Sequence, residues 1–109
     1  MGNYIPVITR EYIGKVDVDD IIYIEQRQRR MAIVTENNTY VCYERIENIE
    51  KALDKRFYHT LKKLIVNLDK IIMARDQIIT FQGGQELCLA RECFIRTKQA
   101  YAAYLKELL

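Results

Sequence analysis

The chain has 109 residues, half of them apolar, with 29% charged side chains. That is the size and composition of one ordinary globular unit, which needs neither disulfides nor metal to build a core and is too ordered in composition for a disordered tail. Seventeen Lys and Arg against fifteen Asp and Glu leave a net charge of +2, which excludes a histone-like polycation. No apolar run approaches the ~20 residues of a membrane-spanning helix, and Met1-Gly2-Asn3-Tyr4 lacks the basic and apolar regions of a secretory signal. Cys42, Cys88 and Cys93 form neither an even framework nor a C-x-x-C pair, the pattern of reduced thiols in a cytoplasmic protein.

From the N-terminus, Tyr4–Ile8 is β-rich, with Pro6 suited to an edge or first strand. Gly14–Val18 alternates, and Asp20–Glu25 reads as a buried strand bounded by acids. Met31–Thr35 and Thr39–Tyr43 flank Asn37-Asn38, whose tolerance of positive φ predicts a tight hairpin. Between Glu44 and Lys55, Ile46, Ile49 and Leu53 follow helical spacing, predicting one short amphipathic helix. Ile71–Ala74 and Gln77–Phe81 flank a turn at Arg75-Asp76, and Gly83-Gly84 turns the chain into Glu86–Leu89. From Glu92 to Leu109 a second helix is expected, with an apolar stripe of Phe94, Tyr101, Leu105 and Leu108. No linker or repeat divides the chain, so residues 1–109 are expected to form a single domain. The pattern predicts a mainly β fold: a short-stranded, elongated sheet or sandwich with one short internal helix and a C-terminal helix.

Catalytic chemistry finds little foothold. His59 is the one histidine and has no partner motif, while Gly83-Gly84 lacks the Lys-Ser/Thr of a P-loop and reads as a hairpin turn. Neither a metal site nor a cofactor is expected. Charge is more informative by segment. Residues 1–44 carry five basic and seven acidic side chains, residues 45–75 carry eight and four, and residues 76–109 carry four of each. Two tight basic groups stand out, Arg27, Arg29 and Arg30 between two strands, and Lys62-Lys63 between Leu61 and Leu64. Each fits a solvated surface loop, and each also fits an anion site, where arginine forks match phosphates and guanine edges and lysines supply point charges. Eight of the eleven aromatics are tyrosines; at their periodic positions they read as packing residues rather than base-stacking platforms.

Five motifs then occur in order: Asp20-Ile-Ile-Tyr-Ile-Glu25; Arg45-Ile-Glu-Asn-Ile-Glu-Lys-Ala-Leu53 with Arg56-Phe-Tyr58; Leu64-Ile-Val-Asn-Leu-Asp-Lys-Ile71; Gly83-Gly-Gln-Glu-Leu87; and Leu89-Ala-Arg91. Together, over roughly Tyr4 to Tyr101, they resemble the LytTR-type DNA-binding domain of bacterial response regulators, in which "ILYIE", "RFFRVHRSYLVNL" and "VSRR" stretches recur. The resemblance implies a mainly β fold and a transcriptional regulator, not an enzyme, that reads promoter DNA through loops entering successive major grooves. Its contact regions fall on the Gln26–Arg30 loop, the segment from His59 to Lys63, and Arg91. It implies DNA-binding roles for Arg27, Arg29, Arg30, His59, Lys62, Lys63 and Arg91, with Arg29 and Lys62 at base-contacting positions and Lys63 replacing a backbone-contacting Ser.

The chain departs from the family pattern at Leu61, where His is usual, at Ala90, which replaces Ser, and at Glu92, which replaces the second Arg of the final motif. The expected partner is double-stranded promoter DNA with repeated half-sites, bound by a homodimer, with no small-molecule substrate. With no receiver domain ahead of the match, the signal is expected from abundance or from a separate sensor or membrane partner protein, unless the chain is a fragment of a longer one. The alternative is a protein-interaction module of the same fold that has lost specific DNA binding, motivated by Glu92 and the small net charge, with the C-terminal stripe as its partner surface.

Overall fold

Alternating apolar residues become cross-strand pairs at once. β1 (Tyr4–Ile8) and β2 (Ile13–Asp17) form an antiparallel hairpin whose Ile5, Val7 and Val16 are buried. The structure, a computed structural model, describes residues 3–109, so the Met1-Gly2 reading lies outside the described residues. A 3₁₀ turn (Val18–Asp20) follows, capped by the Asp17 carboxylate, which accepts the Asp19 N–H at 2.9 Å. The chain continues through β3 (Ile21–Arg27), β4 (Arg30–Thr35) and β5 (Thr39–Tyr43) into α1 (Ile46–Ile49), which tightens into a 3₁₀ turn over Glu50–Ala52.

The second half repeats this order. The hairpin β6 (Phe57–Leu61) and β7 (Leu64–Asn67) leads to a 3₁₀ turn (Leu68–Lys70), in which Asn67 Oδ1 accepts the Asp69 N–H at 3.0 Å. Then come β8 (Ile71–Arg75), β9 (Ile78–Phe81), β10 (Glu86–Cys88) and α2 (Arg91–Glu107). The register slips just after each 3₁₀ turn, between Ile21 and Tyr23 and between Ile71 and Met73. The sequence shows no repeat dividing the chain, yet its backbone runs twice through hairpin, Asx-capped turn, three-stranded meander and helix. Asn67 joins the two units: fully buried, it donates from Nδ2 to the Ile21 carbonyl at 2.8 Å. Removing such a buried hydrogen bond costs ~1–3 kcal/mol.

Among the described residues the ten strands form three antiparallel sheets: β1-β2, β10-β9-β8, and a central β5-β4-β3-β7-β6. The central sheet is buried on both faces. On one, Ile24, Met31, Ile33 and Ile65 pack with Ile5 and Val7 of the first hairpin and Ile46 and Ile49 of α1. On the other, Ile22, Val34, Leu64 and Val66 pack with Ile79, Phe81, Leu89 and Phe94 from the third sheet and α2. Two-sided burial is why these strands read as nearly continuous apolar runs rather than as clean alternation. The mainly β expectation therefore holds, as three layers measuring 39 × 31 × 24 Å.

Several local readings change. The Asn37-Asn38 hairpin forms, but neither Asn has positive φ; Thr35 Oγ1 closes the turn instead, donating to the Asn38 carbonyl and accepting its N–H. Positive φ falls on Gln28 (57°) between β3 and β4, and on Asp76 (55°) and Gln77 (64°) between β8 and β9, one residue beyond the expected Arg75-Asp76 turn. The first helix is shorter than Glu44–Lys55, because the Asp54 carboxylate accepts the Arg56 N–H at 3.0 Å and turns the chain into β6. The expected α2 stripe divides. Phe94 is buried and Tyr101 half-buried, with its hydroxyl donating to the Ile71 carbonyl at 2.7 Å, whereas Leu105 and Leu108 are 41% and 64% exposed. The three cysteines are free, Cys42 and Cys93 buried and Cys88 exposed.

Candidate nucleic-acid interface

The two basic groups meet because β3 pairs with β7. Antiparallel register sets Glu25 opposite Leu64, and the Gln26 N–H donates to the Lys63 carbonyl at 2.8 Å. The β3–β4 turn at Gln28-Arg29 and the β6–β7 turn at Lys62-Lys63 thus lie side by side at one end of the central sheet. Arg29, Lys62 and Lys63 line one concave surface, and the β5–α1 junction brings Tyr43 and Arg45 to it. Arg27 and Arg30 line an adjoining concavity with Arg29 and Tyr43.

Arg27 and Arg30 face each other across the hairpin. Like charges in register repel, and each is offset by its own partner. Arg27 is paired with Glu25 at 2.9 Å, while Arg30 donates to the Tyr43 hydroxyl at 3.3 Å with its guanidinium 5.4 Å from the ring centre. Gln28 at the apex keeps a left-handed conformation that costs a non-glycine residue ~1–2 kcal/mol. Among the described residues no carboxylate pairs with Arg29, Lys62, Lys63, Arg45 or Arg91. Two acids share the concave surface, Glu44 and Glu47. The Glu44 carboxylate is turned onto its own helix, accepting the Arg45 N–H at 2.8 Å and the Asn48 Nδ2 at 2.7 Å, and these bonds hold its pKa below the usual carboxylate range.

Arg91 approaches the same end on the other side of β6. α2 runs antiparallel to that strand: Cys93 Sγ donates to the Thr60 carbonyl at 3.2 Å, and Thr97 bonds the Thr60 hydroxyl at 3.3 Å. At the opposite end, Glu107 lies 4.0 Å from Lys55. The N-terminus of α2 therefore stands beside the Lys62-Lys63 turn. His59 does not join the group; it lies within β6, its Nε2 2.8 Å from Glu50 Oε1. Arg56 is likewise held elsewhere, bridging Asp54 and Asp19 at 2.7 and 2.9 Å. Among the described residues, no group of three or more His, Cys, Asp or Glu converges as a metal site. Among the described residues no helix is long and apolar enough to cross a membrane.

Sequence reasoning passed over Tyr43 and Arg45. Arg45 was countable within the basic middle segment, but nothing local indicated that the β5–α1 junction folds against two turns lying 16 and 17 residues to either side. Such meetings depend on tertiary placement.

A family model described as the LytTr DNA-binding domain matches residues 11–109. The chain belongs to the LytTr DNA-binding domain family. A solved structure described as a LytTr DNA-binding domain of a response regulator from Bacillus cereus superimposes with a TM-score of 0.68 at 19% identity, covering 97% of this chain and 95% of that one. That likeness concerns the fold. No curated protein matches the chain significantly. As a LytTr domain the chain is a DNA-binding module built on β-strands, and its departures from the family pattern acquire places. Leu61 ends β6 half-exposed beside the lysine turn. Ala90 occupies the N-cap of α2, where no side chain caps the helix, and Glu92 lies in the first helical turn, where a carboxylate suits the helix dipole.

Proposed function

We propose that this LytTr domain is a sequence-specific regulator of transcription that reads double-stranded promoter DNA in the major groove through its turns and performs no catalysis. The observation that carries the reading is the convergence of the β3–β4 and β6–β7 turns at one end of the central sheet, with Arg29, Lys62 and Lys63 unneutralised by any carboxylate among the described residues. In this assignment Arg29 and Lys62 meet base edges, Arg30, Lys63 and Arg91 serve the phosphate backbone, and Arg27, already paired with Glu25, adds less. His59, held by Glu50, orients the strand rather than reading a base. A module of 13.0 kDa covers few base pairs, so two copies act on repeated half-sites.

The test is selection from a pool of random duplexes, followed by competition of the selected duplex against bulk DNA. Enrichment of a common sequence bound ~10³-fold or more above bulk DNA is expected. Equal binding to all duplexes would remove the reading. A second reading, a protein-interaction module, draws on the exposed apolar side chains Leu105, Leu108 and Leu109 at the far end of α2; it requires that no duplex be enriched.

A further inference from the structure

Both basic turns and the β5–α1 junction are tied to one half-buried residue, the Lys62-Lys63 turn through its backbone and the other two through its side chain. Gln26 Nε2 donates to the carbonyls of Gln28 at 2.9 Å, Arg30 at 3.1 Å and Glu44 at 2.9 Å, its two hydrogens shared among three acceptors. Its Oε1 accepts the Ile46 N–H at 2.9 Å, the first amide of α1. Its own N–H reaches the Lys63 carbonyl. The carboxamide thus closes the β3–β4 hairpin from inside and staples it to the strand-to-helix junction that carries Tyr43 and Arg45. The second structural unit has a smaller version of the same device. Gln77, in the β8–β9 turn, donates from Nε2 to the Leu89 carbonyl at 2.9 Å and accepts the Leu89 N–H on its own carbonyl, fixing that turn to the start of α2 beside Arg91.

We infer that Gln26 is the positioning residue of the interface: its carboxamide locks the Arg29 turn to the β5–α1 junction as one preformed surface, beside the Lys62-Lys63 turn that its backbone N–H anchors, so that sequence discrimination depends on it. The inference rests on the DNA-binding reading above. A flexible cluster of the same cations would still release counterions from any duplex, because that attraction needs charge but little geometry. Base readout needs side chains held in place. The carboxamide carries no charge and is not itself assigned to a base. Deleting it should therefore separate discrimination from bulk affinity.

The experiment compares wild-type protein with Gln26→Met, which keeps length and packing but removes every side-chain bond. A second variant, Gln26→Glu, retains an acceptor for Ile46 and loses the three donations. Each is titrated with the wild-type-selected duplex and with random duplex at several salt concentrations, below its own melting midpoint. For Gln26→Met, affinity for the selected duplex should fall about tenfold or more, since several hydrogen bonds of ordinary strength are lost, while random-duplex affinity and its salt slope stay unchanged. If Gln26→Met does not fold, Gln26→Glu carries the test through its ratio of selected to random affinity. Equal losses on both duplexes, no loss on either, or unfolding of both variants would overturn the inference. A wild-type protein that selects no duplex would overturn the DNA-binding reading itself and this inference with it, a result visible without any variant.

Discussion

Lys63→Ala tests whether the grouped cations act on DNA phosphates. Six basic side chains at the turn end, Arg29, Arg30, Arg45, Lys62, Lys63 and Arg91, have no carboxylate partner among the described residues. If all six displaced counterions, the slope of log K against log salt would be about −5 for one protomer, at ~0.9 per phosphate. Affinity would then fall about 10³-fold between 50 and 200 mM salt. Removing Lys63 should lower the magnitude of the slope by about 0.9, reducing that fall to roughly 500-fold, and it should do so on selected and random duplexes alike. Arg27 provides the internal contrast. Its charge is already met by Glu25 at 2.9 Å, so Arg27→Ala should change the slope less. Fluorescence anisotropy on a duplex carrying a single half-site measures both. An unchanged slope in Lys63→Ala, or an equal change in Arg27→Ala, would refute the reasoning.

Three further outcomes follow from the same geometry. Arg29→Ala should relax base preference at one position by ~1–3 kcal/mol, read by competition with single-base variants of the selected duplex; undiminished discrimination at every position would contradict its role. Ala90→Ser restores a capping hydroxyl to α2, whose N-cap now has no side-chain bond. It should stabilise the protein by ~1 kcal/mol and raise Tm by about 4 °C in thermal denaturation, and an unchanged Tm would show the helix start satisfied by other means. Hydrogen bonds from Arg56 hold the Asp54 carboxyl below the usual range. Its stabilisation is thus present above the unfolded value of about 3.9 and lost as pH falls through the folded value. Asp54→Asn should therefore lower Tm slightly near neutrality, the pair being partly exposed, and the difference should vanish on acidification. A difference constant down to roughly pH 2 would contradict that linkage.

The central strands are legible because burial on both faces leaves Ile21–Ile24, Met31–Val34 and Leu64–Val66 almost wholly apolar. The β6–β7 hairpin has no such signature. Its turn is Lys62-Lys63, without Gly, Asn or Asp, and among the described residues neither lysine needs positive φ. Only the family resemblance placed that segment. Likewise the β3–β4 apex puts its strained φ on Gln28, a residue with no turn preference, because the Gln26 carboxamide closes the loop from within. The basic groups themselves stand out in segmental charge. Their meeting does not, since it depends on β3 pairing with β7 some 40 residues away. The apparent α2 stripe misled in the other direction: Tyr104, outside it, reaches Asp69 at 2.9 Å, while Leu105 and Leu108 face outward.

The most direct measurement maps backbone amide shifts of isotopically labelled protein on titration with the selected duplex. The largest changes should fall on Gln26–Arg30, Lys62-Lys63, Arg45 and the first turn of α2 from Arg91, with the far end of that helix unmoved. Changes centred on Leu105–Leu109, or spread evenly over the surface, would contradict the assignment of the turn end as the DNA-reading face.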